Sequence, residues 1–567
     1  MSRRISRTLS LPVVATFAGL AACAPGERGP DEAQMNAALG TITAPNLVEH
    51  IQVLASDEFE GRAPSSPGEE LTIAYLSEQF GAMGLEPGNN GSWFQDVPLV
   101  SIAADPSMRL TIEGGGGGGG GGASARYTYG EDFMAWTTRV VEESGLNDSE
   151  LIFVGYGIVA PEYDWNDYEG LDVSGKTVVI LVNDPGYTTE DPEMFNGHSM
   201  TYYGRWTYKY EEAARQGAAG ALVVHETGPA GYGWGVVSGS WSGPQFDLVS
   251  ADNNMSRIQV EGWFAHETAR EVFAMAGLDL EDMKAAALSP EFEAIPMGLS
   301  ASVDVRNVIE RSNSKNVIAL LRGTDRADEY IIYMAHWDHI GRDPSLEGDQ
   351  IYNGALDNAS GTAALLELAQ AFASMETRPR RSILFVAVTA EEQGLLGSAH
   401  YGANPVYPLN KTVAGLNMDG INIYGPMKDI VVVGHGNSEL DDYLAAAAQT
   451  QNRVLKPDPE SEKGFYYRSD HFELAKQGVP ALYIDTGTEH VEHGVEWVTE
   501  QKDHYTEANY HKPSDEYSPD WDLSGAVQDI QLYFMVGFAL ANEDDFPNWR
   551  EGTEFRAIRD QMMAGSR

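Results

Sequence analysis

Acidic and imidazole side chains follow three apolar segments in the second half of the chain. The segments are 330–335, 382–389 and 413–416, and the side chains are His336, Asp338, Glu391, Glu392 and Asp419. Each segment has the length and composition of a buried β-strand, so these side chains are expected just beyond the carboxyl ends of strands. Asp357 adds a further carboxylate at the start of a helix predicted over 359–375. Carboxylate oxygens and imidazole nitrogens are ligands that zinc prefers, so the pattern predicts a metal site.

Each of these positions also has a purely structural interpretation. Asp357 could simply cap its helix, the Glu391-Glu392 pair could form a solvated loop, and His336 could be a core histidine. Their joint placement at three strand ends favours a ligand site. The spacing His336-x-Asp338 adds a carboxylate that can fix the tautomer of the imidazole.

The elements that must position these residues indicate an α/β domain. After about residue 300, apolar strands alternate with helices predicted over 359–375 and 441–449, a pattern typical of parallel βαβ units. Open α/β sheets hold their ligands at the carboxyl ends of the strands. The predicted ligands therefore share one edge of the sheet.

At six places the chain resembles the dizinc aminopeptidases related to aminopeptidase Y and glutamate carboxypeptidase, in peptidase clan MH. The matching segments are 334–339, 354–361, 390–398, 417–419, 469–471 and 510–515. The resemblance also includes Gly61-Arg62 and covers nearly all of the chain beyond its N-terminal segment. It implies an α/β fold: a phosphorylase/hydrolase-like zinc-peptidase domain with a mixed, mainly parallel sheet.

The resemblance implies a site for two zinc ions per chain. His336 and Asp419 would bind one ion, and Glu392 and His511 would bind the other. Asp357 would bridge the two. Two zinc ions about 3.5 to 4 Å apart can polarise a scissile carbonyl and activate one shared water, which suits the hydrolysis of a peptide bond.

Further residues receive roles from the same resemblance. Glu391 falls on the general base, Asp338 on the carboxylate that orients His336, and Tyr510 on the group that stabilises the oxyanion. The residues expected to line the substrate pocket are Arg468, Asp470 and His471. His490 and His493 lie in a polar loop that is expected to border the cleft rather than bind metal.

The chain is long enough for two or three domains. Segments such as 153–157, 172–176 and 212–218 resemble a mainly β protease-associated domain inserted into the peptidase domain. The expected organisation is a signal peptide at 1–23, a spacer at 24–43, the first part of the peptidase domain at 44–135, the insert at 136–300, the main part of the peptidase domain at 301–550, and a tail at 551–567.

The N-terminus has the features of an export signal. Three arginines precede a short apolar run, which ends at the only cysteine of the chain, Cys23. The segment is too short for a stable transmembrane anchor. The residues 20–23 resemble a bacterial lipobox, so we expect Cys23 to be lipidated and the protein to be exported, anchored in the cell envelope and facing the periplasm.

Charge restricts the partners of the protein. The sequence contains 84 acidic residues against 37 lysines and arginines, a formal charge of -47, which repels phosphate backbones and anionic lipids. We therefore expect no nucleic acid partner and membrane contact only through the lipid anchor. Peptide substrates are the expected ligands, and no partner protein is predicted.

Three alternatives to an aminopeptidase follow from the same resemblance. A glutamate carboxypeptidase would need a cationic pocket, for which Arg468 is the candidate. A receptor-like ectodomain would lack metal ligands, whereas every ligand position is filled here. A glutaminyl-cyclase-like enzyme would use one zinc ion, so a metal count separates it from a peptidase.

Overall fold

The computed structural model describes residues 32–114 and 123–565. The predicted signal peptide and Cys23 lie outside the described residues. Within the described part of the chain, no helix combines the length and apolar character needed to cross a membrane.

The strands alternate with helices along most of the chain. The strands are β1 (Glu86–Pro87), β2 (Phe94–Ala104), β3 (Arg109–Gly114), β4 (Ser124–Thr128), β5 (Phe133–Trp136), β6 (Glu143–Phe153), β7 (Val159–Ala160), β8 (Trp165–Asn166), β9 (Thr177–Leu181), β10 (Gly220–Val224), β11 (Pro244–Leu248), β12 (Val260–Phe264), β13 (Ile295–Leu321), β14 (Arg326–His336), β15 (Gly341–Arg342), β16 (Ile351–Tyr352), β17 (Arg381–Val388), β18 (Thr412–Asn417), β19 (Asp429–Val433), β20 (Val454–Pro457) and β21 (Ala481–Asp485). The helices are α1 (Glu32–Leu39), α2 (Ala44–Leu54), α3 (Pro67–Ala82), α4 (Pro185–Thr189), α5 (Trp206–Arg215), α6 (Thr227–Ala230), α7 (Trp234–Ser240), α8 (His266–Met275), α9 (Leu280–Ala286), α10 (Gly361–Ala373), α11 (Leu396–Ala403), α12 (Leu440–Thr450), α13 (His471–Lys476), α14 (Gly494–Ala508), α15 (Ser524–Asn542) and α16 (Arg556–Ala564).

The first sheet carries the predicted site. Its order is β11-β2-β13-β17-β14-β18-β21-β19-β20, and the four neighbouring strands β17, β14, β18 and β21 are parallel. Every residue of β17 and β18 is buried, as expected for strands covered on both faces. The mixed sheet with a parallel centre confirms the α/β fold class predicted from the sequence.

Helices cover both faces of this sheet. On one face, α10 and α15 pack together, and the rings of Phe372 and Phe534 lie 4.3 Å apart. On the other face, Tyr401 of α11 and Leu474 of α13 pack against the strands. The site edge remains open because the helices lie along the faces of the sheet.

The second sheet is an inserted unit, and it begins earlier than the sequence suggested. Its order is β4-β3-β13-β6-β9-β10-β12-β5. Strands β3, β4 and β5 pair here, although the expected boundary at 135/136 assigned them to the peptidase domain. Short alternating strands do not reveal in the sequence which sheet they join. Residues 295–306 of β13 belong to this sheet and residues 307–321 to the first, so one strand connects the two units.

The inserted unit also contains more helix than a mainly β module. Strands β6, β9, β10 and β12 are parallel. Parallel neighbours require crossover connections, which helices such as α5 provide. The unit is therefore α/β in its layer structure, which differs from the mainly β insert expected from the sequence.

Candidate metal centre

Strand ends and a turn deliver the predicted ligands to one edge of the first sheet. His336 is the last residue of β14, and Asp419 follows β18 by two residues. Glu391 and Glu392 follow the end of β17, and Asp357 lies in the turn Ala355–Ser360 that leads into α10. His511, which follows α14, reaches the same edge from outside the sheet.

The distances divide the cluster into two halves that share one carboxylate. Asp357 Oδ1 lies 3.4 Å from His336 Nε2, and Asp357 Oδ2 lies 3.2 Å from His511 Nε2. In the first half, Asp419 Oδ1 lies 3.2 Å from His336 Nε2. In the second half, Glu392 Oε2 lies 3.1 Å from His511 Nε2. The structure thus brings together all five residues predicted as ligands and places Asp357 between the halves.

His339 belongs to the second half, and sequence reasoning gave it no role. Its Nδ1 lies 2.5 Å from Glu392 Oε1, and its side chain is buried. His339, Asp357 and Glu392 form one of three groups whose polar atoms lie close enough to hold a metal ion. The signal was present in the sequence, since His339 follows His336 by three residues.

The electrostatics of the cluster favour positive charge at its centre. Burial opposes the protonation of His336 and His511, but the carboxylates overcome it. Glu391 and Asp419 raise the pKa of His336 well above its usual value, and Glu392 and Asp357 raise the pKa of His511 to about 10. A divalent cation satisfies the same demand, because it is attracted by the carboxylates and accepts imidazole nitrogen as a ligand.

The donor set therefore fits zinc. Oxygen and nitrogen atoms converge in two sets that share Asp357, and carboxylate oxygen and neutral imidazole nitrogen are both zinc ligands. His336, Asp357 and Asp419 would hold one ion. Asp357, Glu392 and His511 would hold the second, with His339 directly beside them.

Glu391 occupies a different environment from Glu392. Burial raises the pKa of Glu391 well above its usual value, and Asp419 and Glu392 act in the same direction, although His336 opposes them. Burial and Asp357 oppose the ionisation of Glu392, yet His339 and His511 lower the pKa of Glu392 to about 2. The two neighbouring carboxylates thus lie in different electrostatic environments.

Asp338 contacts the site through the backbone more than through the imidazole. Its Oδ1 accepts a hydrogen bond from the Glu391 backbone N–H at 3.1 Å but lies 3.9 Å from His336 Nδ1. The nearer partner of His336 Nδ1 is the backbone oxygen of Asp338, at 3.2 Å. Burial raises the pKa of Asp338 to about 8. In this arrangement Asp338 orients Glu391 directly.

Tyr510 and Arg468 border the open side of the cluster. The ring of Tyr510 stacks on the ring of His511 at 3.9 Å, and its side chain is partly exposed. Burial and Asp357 raise the pKa of the Tyr510 phenol well above its usual value, while the charge of Arg468 lowers it. Arg468 is exposed and lies 5.0 Å from the ring of Phe465. Both residues are therefore accessible to a substrate.

Two residues expected in the substrate pocket do not line it. Asp470 and His471 are both 0% exposed. Asp470 accepts a hydrogen bond from Ser398 Oγ at 2.6 Å, and His471 packs between the rings of Tyr466 and Tyr483. The expectation is wrong for these two because α13 begins at His471 and turns both side chains into the core.

Neighbouring residues fix the ligands in position. Ser469 Oγ donates to Asp419 Oδ2 at 2.6 Å. The carboxylate of Asp515 accepts the backbone N–H groups of Leu356 and Asp357, both at 3.1 Å. Both residues lie within the matching segments 469–471 and 510–515, but the sequence alone does not predict this role.

Arg62 holds the loops on either side of the cluster. Its buried guanidinium donates to the backbone oxygens of Trp337, Asn353 and Gly354 at 2.9, 2.6 and 2.9 Å. These carbonyls lie next to His336 and just before Asp357. The Gly61-Arg62 pair in the sequence is therefore part of the support of the site.

The fold resembles that of a solved aminopeptidase. An aminopeptidase from Aneurinibacillus sp. strain AM-1 superposes with a TM-score of 0.50 and 19% identity, over 90% of this chain and 97% of that one. At this identity the likeness concerns the fold alone. The class defined by fold and site is an α/β protein with a metal-ligand cluster at the carboxyl edge of its sheet.

Sequence comparison finds a family that is similar to part of the chain. Residues 316–535 match Peptidase family M28, and all five predicted ligands lie within this range.

Curated relatives match over shorter segments. Mouse aminopeptidase NAALADL1 is 36% identical over 140 residues, which are 23% of this chain and 17% of the relative. The glutamate carboxypeptidase 2 homolog of Caenorhabditis elegans is 31% identical over 200 residues, which are 34% of this chain and 24% of the relative. The chain thus matches about a quarter or less of the length of these relatives.

Proposed function

We propose that the protein is an exopeptidase that binds two zinc ions and releases N-terminal residues from peptides. The observation that carries the proposal is the position of Asp357, whose two oxygens face His336 and His511 at 3.4 and 3.2 Å. A carboxylate in this position can serve two ions at once. The match of residues 316–535 to Peptidase family M28 supports the hydrolysis of peptide bonds as the reaction.

The bound zinc ions would supply Lewis acidity, by polarising the scissile carbonyl and making water a better nucleophile. The residues of the chain complete the chemistry. Glu391, whose Oε2 lies 3.9 Å from His336 Nε2, accepts a proton from the attacking water and returns it to the leaving amine. Asp338 orients Glu391 through the backbone hydrogen bond. The Tyr510 phenol donates a hydrogen bond to the oxygen of the scissile carbonyl as charge develops there.

The direction of cleavage is testable with matched peptides. Carboxylates dominate the cluster, and they suit a free terminal ammonium, which supports an aminopeptidase. Arg468 beside Tyr510 is the observation that favours a carboxypeptidase instead. A zinc-loaded sample should remove residues from free peptides and leave N-acetylated copies uncut, as read by mass spectrometry. Equal cleavage of both copies would contradict the aminopeptidase proposal.

We also propose that the protein is exported and lipid-anchored through Cys23. The sequence around Cys23 supports this, and the residue lies outside the described part of the structure. A Cys23→Ser variant should leave the membrane fraction while keeping its fold and activity. If the variant stays in the membrane fraction, the lipid is not the anchor.

A further inference from the structure

A cavity adjoins the metal cluster at Asp515, the carboxylate that holds the Asp357 backbone N–H. Its volume is about 920 Å³, and its walls come from residues 423, 424 and 426, from helix α14 with the preceding loop, and from residues 514–522. None of the five predicted metal ligands lines it. It is therefore distinct from the catalytic cleft, and the proposed reaction does not use it.

Aromatic rings form much of its wall. The rings of His490 and His493 stack at 4.6 Å, and Trp497 lies 4.7 Å from His493. Tyr424 meets Trp497 edge to face at 6.4 Å. The rings of Trp497 and Tyr424 offer negative π faces, which attract organic cations.

The charged side chains that line the cavity are negative. Its charged side chains, apart from histidines, are all carboxylates, and no lysine or arginine lines the cavity. Asp515 is already engaged by two backbone N–H groups and by the hydroxyl of Tyr505. Asp522 has a free oxygen, since its Oδ1 caps the backbone N–H of Ser524 while Oδ2 has no hydrogen-bond partner among the described residues. The electrostatics thus complement a cation.

A buried imidazole adds a hydrogen-bond donor. His490 is 5% exposed, and its Nδ1 accepts the backbone N–H groups of Glu492 and His493 at 3.1 and 3.0 Å. Because Nδ1 is an acceptor, the proton of the neutral ring is on Nε2. A Cβ atom on Gly425 would lie 3.2 Å from this Nε2 and 2.7 Å from Asp522 Oδ2. Donor and acceptor therefore face the same space beside Gly425.

We propose that this cavity is a second ligand site, which binds an organic ammonium group that carries a neighbouring oxygen acceptor. Asp522 and the ring of Trp497 recognise the cation, and His490 Nε2 donates to the oxygen. The site adjoins the metal cluster through Tyr505, whose hydroxyl donates to the same oxygen of Asp515 that holds the Asp357 backbone N–H. The ammonium group belongs either to a basic part of the peptide substrate or to a separate small molecule.

Choline and its neutral isostere 3,3-dimethyl-1-butanol test the site on the full chain. The two molecules have the same shape and the same hydroxyl group, and they differ only in charge. Calorimetric titration should show saturable binding of choline and at least tenfold weaker binding of the alcohol. Trp497→Leu and Asp522→Asn should each weaken choline binding by roughly 3- to 30-fold, as expected for the loss of one cation–π or charge contact. Asp503→Asn is the matched control, since Asp503 lies exposed on the same helix outside the cavity wall.

The outcomes separate the hypotheses. Equal binding of the two probes, no saturable choline binding, or unchanged binding in both cavity variants would overturn the proposal. If Trp497→Leu fails to fold, Asp522→Asn alone decides, because asparagine retains the cap of Ser524. Competition between choline and a peptide substrate would assign the site to the substrate, and binding without competition would assign it to a separate cation. Only this last comparison relies on the proposed peptidase activity.

Discussion

At the residue scale, the candidate site depends on how neighbouring carboxylates are kept in different environments. Glu391 and Glu392 are adjacent in sequence, yet Glu392 faces two imidazoles and Glu391 lies beside the buried Asp338. His339 is the residue that most directly fixes Glu392, at 2.5 Å. Removing a group beside a metal ligand typically lowers metal affinity without changing the ligands themselves.

We therefore predict that His339→Leu weakens zinc binding in the half of the cluster that contains Glu392. The expected loss of affinity is roughly 10- to 100-fold. Zinc content measured in zinc buffers should fall from two ions to one at low free zinc and recover at high free zinc. His435→Leu, at an exposed position outside the candidate metal groups, is the control and should retain both ions. Full occupancy of the His339 variant at low zinc would contradict this role.

The sequence indicated the residues of the cluster better than their surroundings. Five polar positions next to strand ends or within specific motifs lie together in the structure, because strand ends at one sheet edge are necessarily close. Asp470 and His471 were misplaced because a motif does not show which way a helix start turns its side chains. The supports, such as Asp515 and Ser469, depend on contacts between distant segments, which a single sequence does not display.

At the element scale, helices are joined by buried polar contacts as well as by apolar packing. Glu367 of α10 is 2% exposed, and its Oε2 accepts the backbone N–H of Thr43 at 3.1 Å and Asn46 Nδ2 at 3.3 Å. Thr43 is the residue that caps α2. Glu367 thus connects the start of α2 to the centre of the peptidase domain.

This contact predicts a pH dependence of stability. Burial raises the pKa of Glu367 to about 7, while its hydrogen bonds to Thr43 and Asn46 oppose the shift. A carboxyl with a raised pKa in the folded state gives its full stability below the pKa of the unfolded chain and loses it as pH rises through about 7. Glu367→Gln keeps an acceptor oxygen and cannot become charged. Relative to the unaltered protein, this variant should therefore be more stable at pH 8 than it is at pH 5.

Thermal unfolding of both proteins across this pH range tests the prediction. The difference in melting temperature between Glu367→Gln and the unaltered protein should grow as pH rises from about 5 to 8. Glu49→Gln, on α2, is the matched control for the loss of a carboxylate from this part of the fold. A flat difference for Glu367→Gln would show that this carboxyl does not titrate on unfolding.

The elements themselves were partly predictable. The buried runs of the parallel centre have no alternation, and their spacing by helices indicated the sheet. The assignment of β3 to β5 to the second sheet was not visible, because short alternating strands pair with whichever edge the tertiary fold offers. The length of β13, at 27 residues, also goes beyond what local patterns predict.

At the scale of the whole molecule, the inserted unit packs beside the substrate face of the peptidase domain. The ring of Tyr202 lies 5.9 Å from that of Tyr467 and 5.0 Å from that of Phe472. The Met200 backbone N–H donates to the Ser461 oxygen at 3.2 Å. These contacts place the insert next to the segment that carries Arg468.

We predict that Tyr202→Ala loosens this contact and destabilises the protein by about 1.5 to 3 kcal/mol, as expected for the loss of a partly buried aromatic side chain. Tyr202→Phe retains the ring and loses only the hydrogen bond to Glu211 Oε2 at 2.8 Å, so it should cost about 0.5 to 1.5 kcal/mol. Denaturant unfolding followed by fluorescence measures both. Equal losses in the two variants would show that the ring does not hold the units together.

The central claim is that Glu392 binds zinc while its neighbour Glu391 acts as the general base. The most direct test measures the metal content and the rate of hydrolysis together. Glu391→Gln should keep both zinc ions while peptide hydrolysis slows by about a hundredfold to ten-thousandfold, as expected for a lost general base. Glu392→Gln should lose one ion at low zinc and regain activity as zinc is raised. If Glu391→Gln loses zinc while Glu392→Gln keeps both ions, the assignment of the site is wrong.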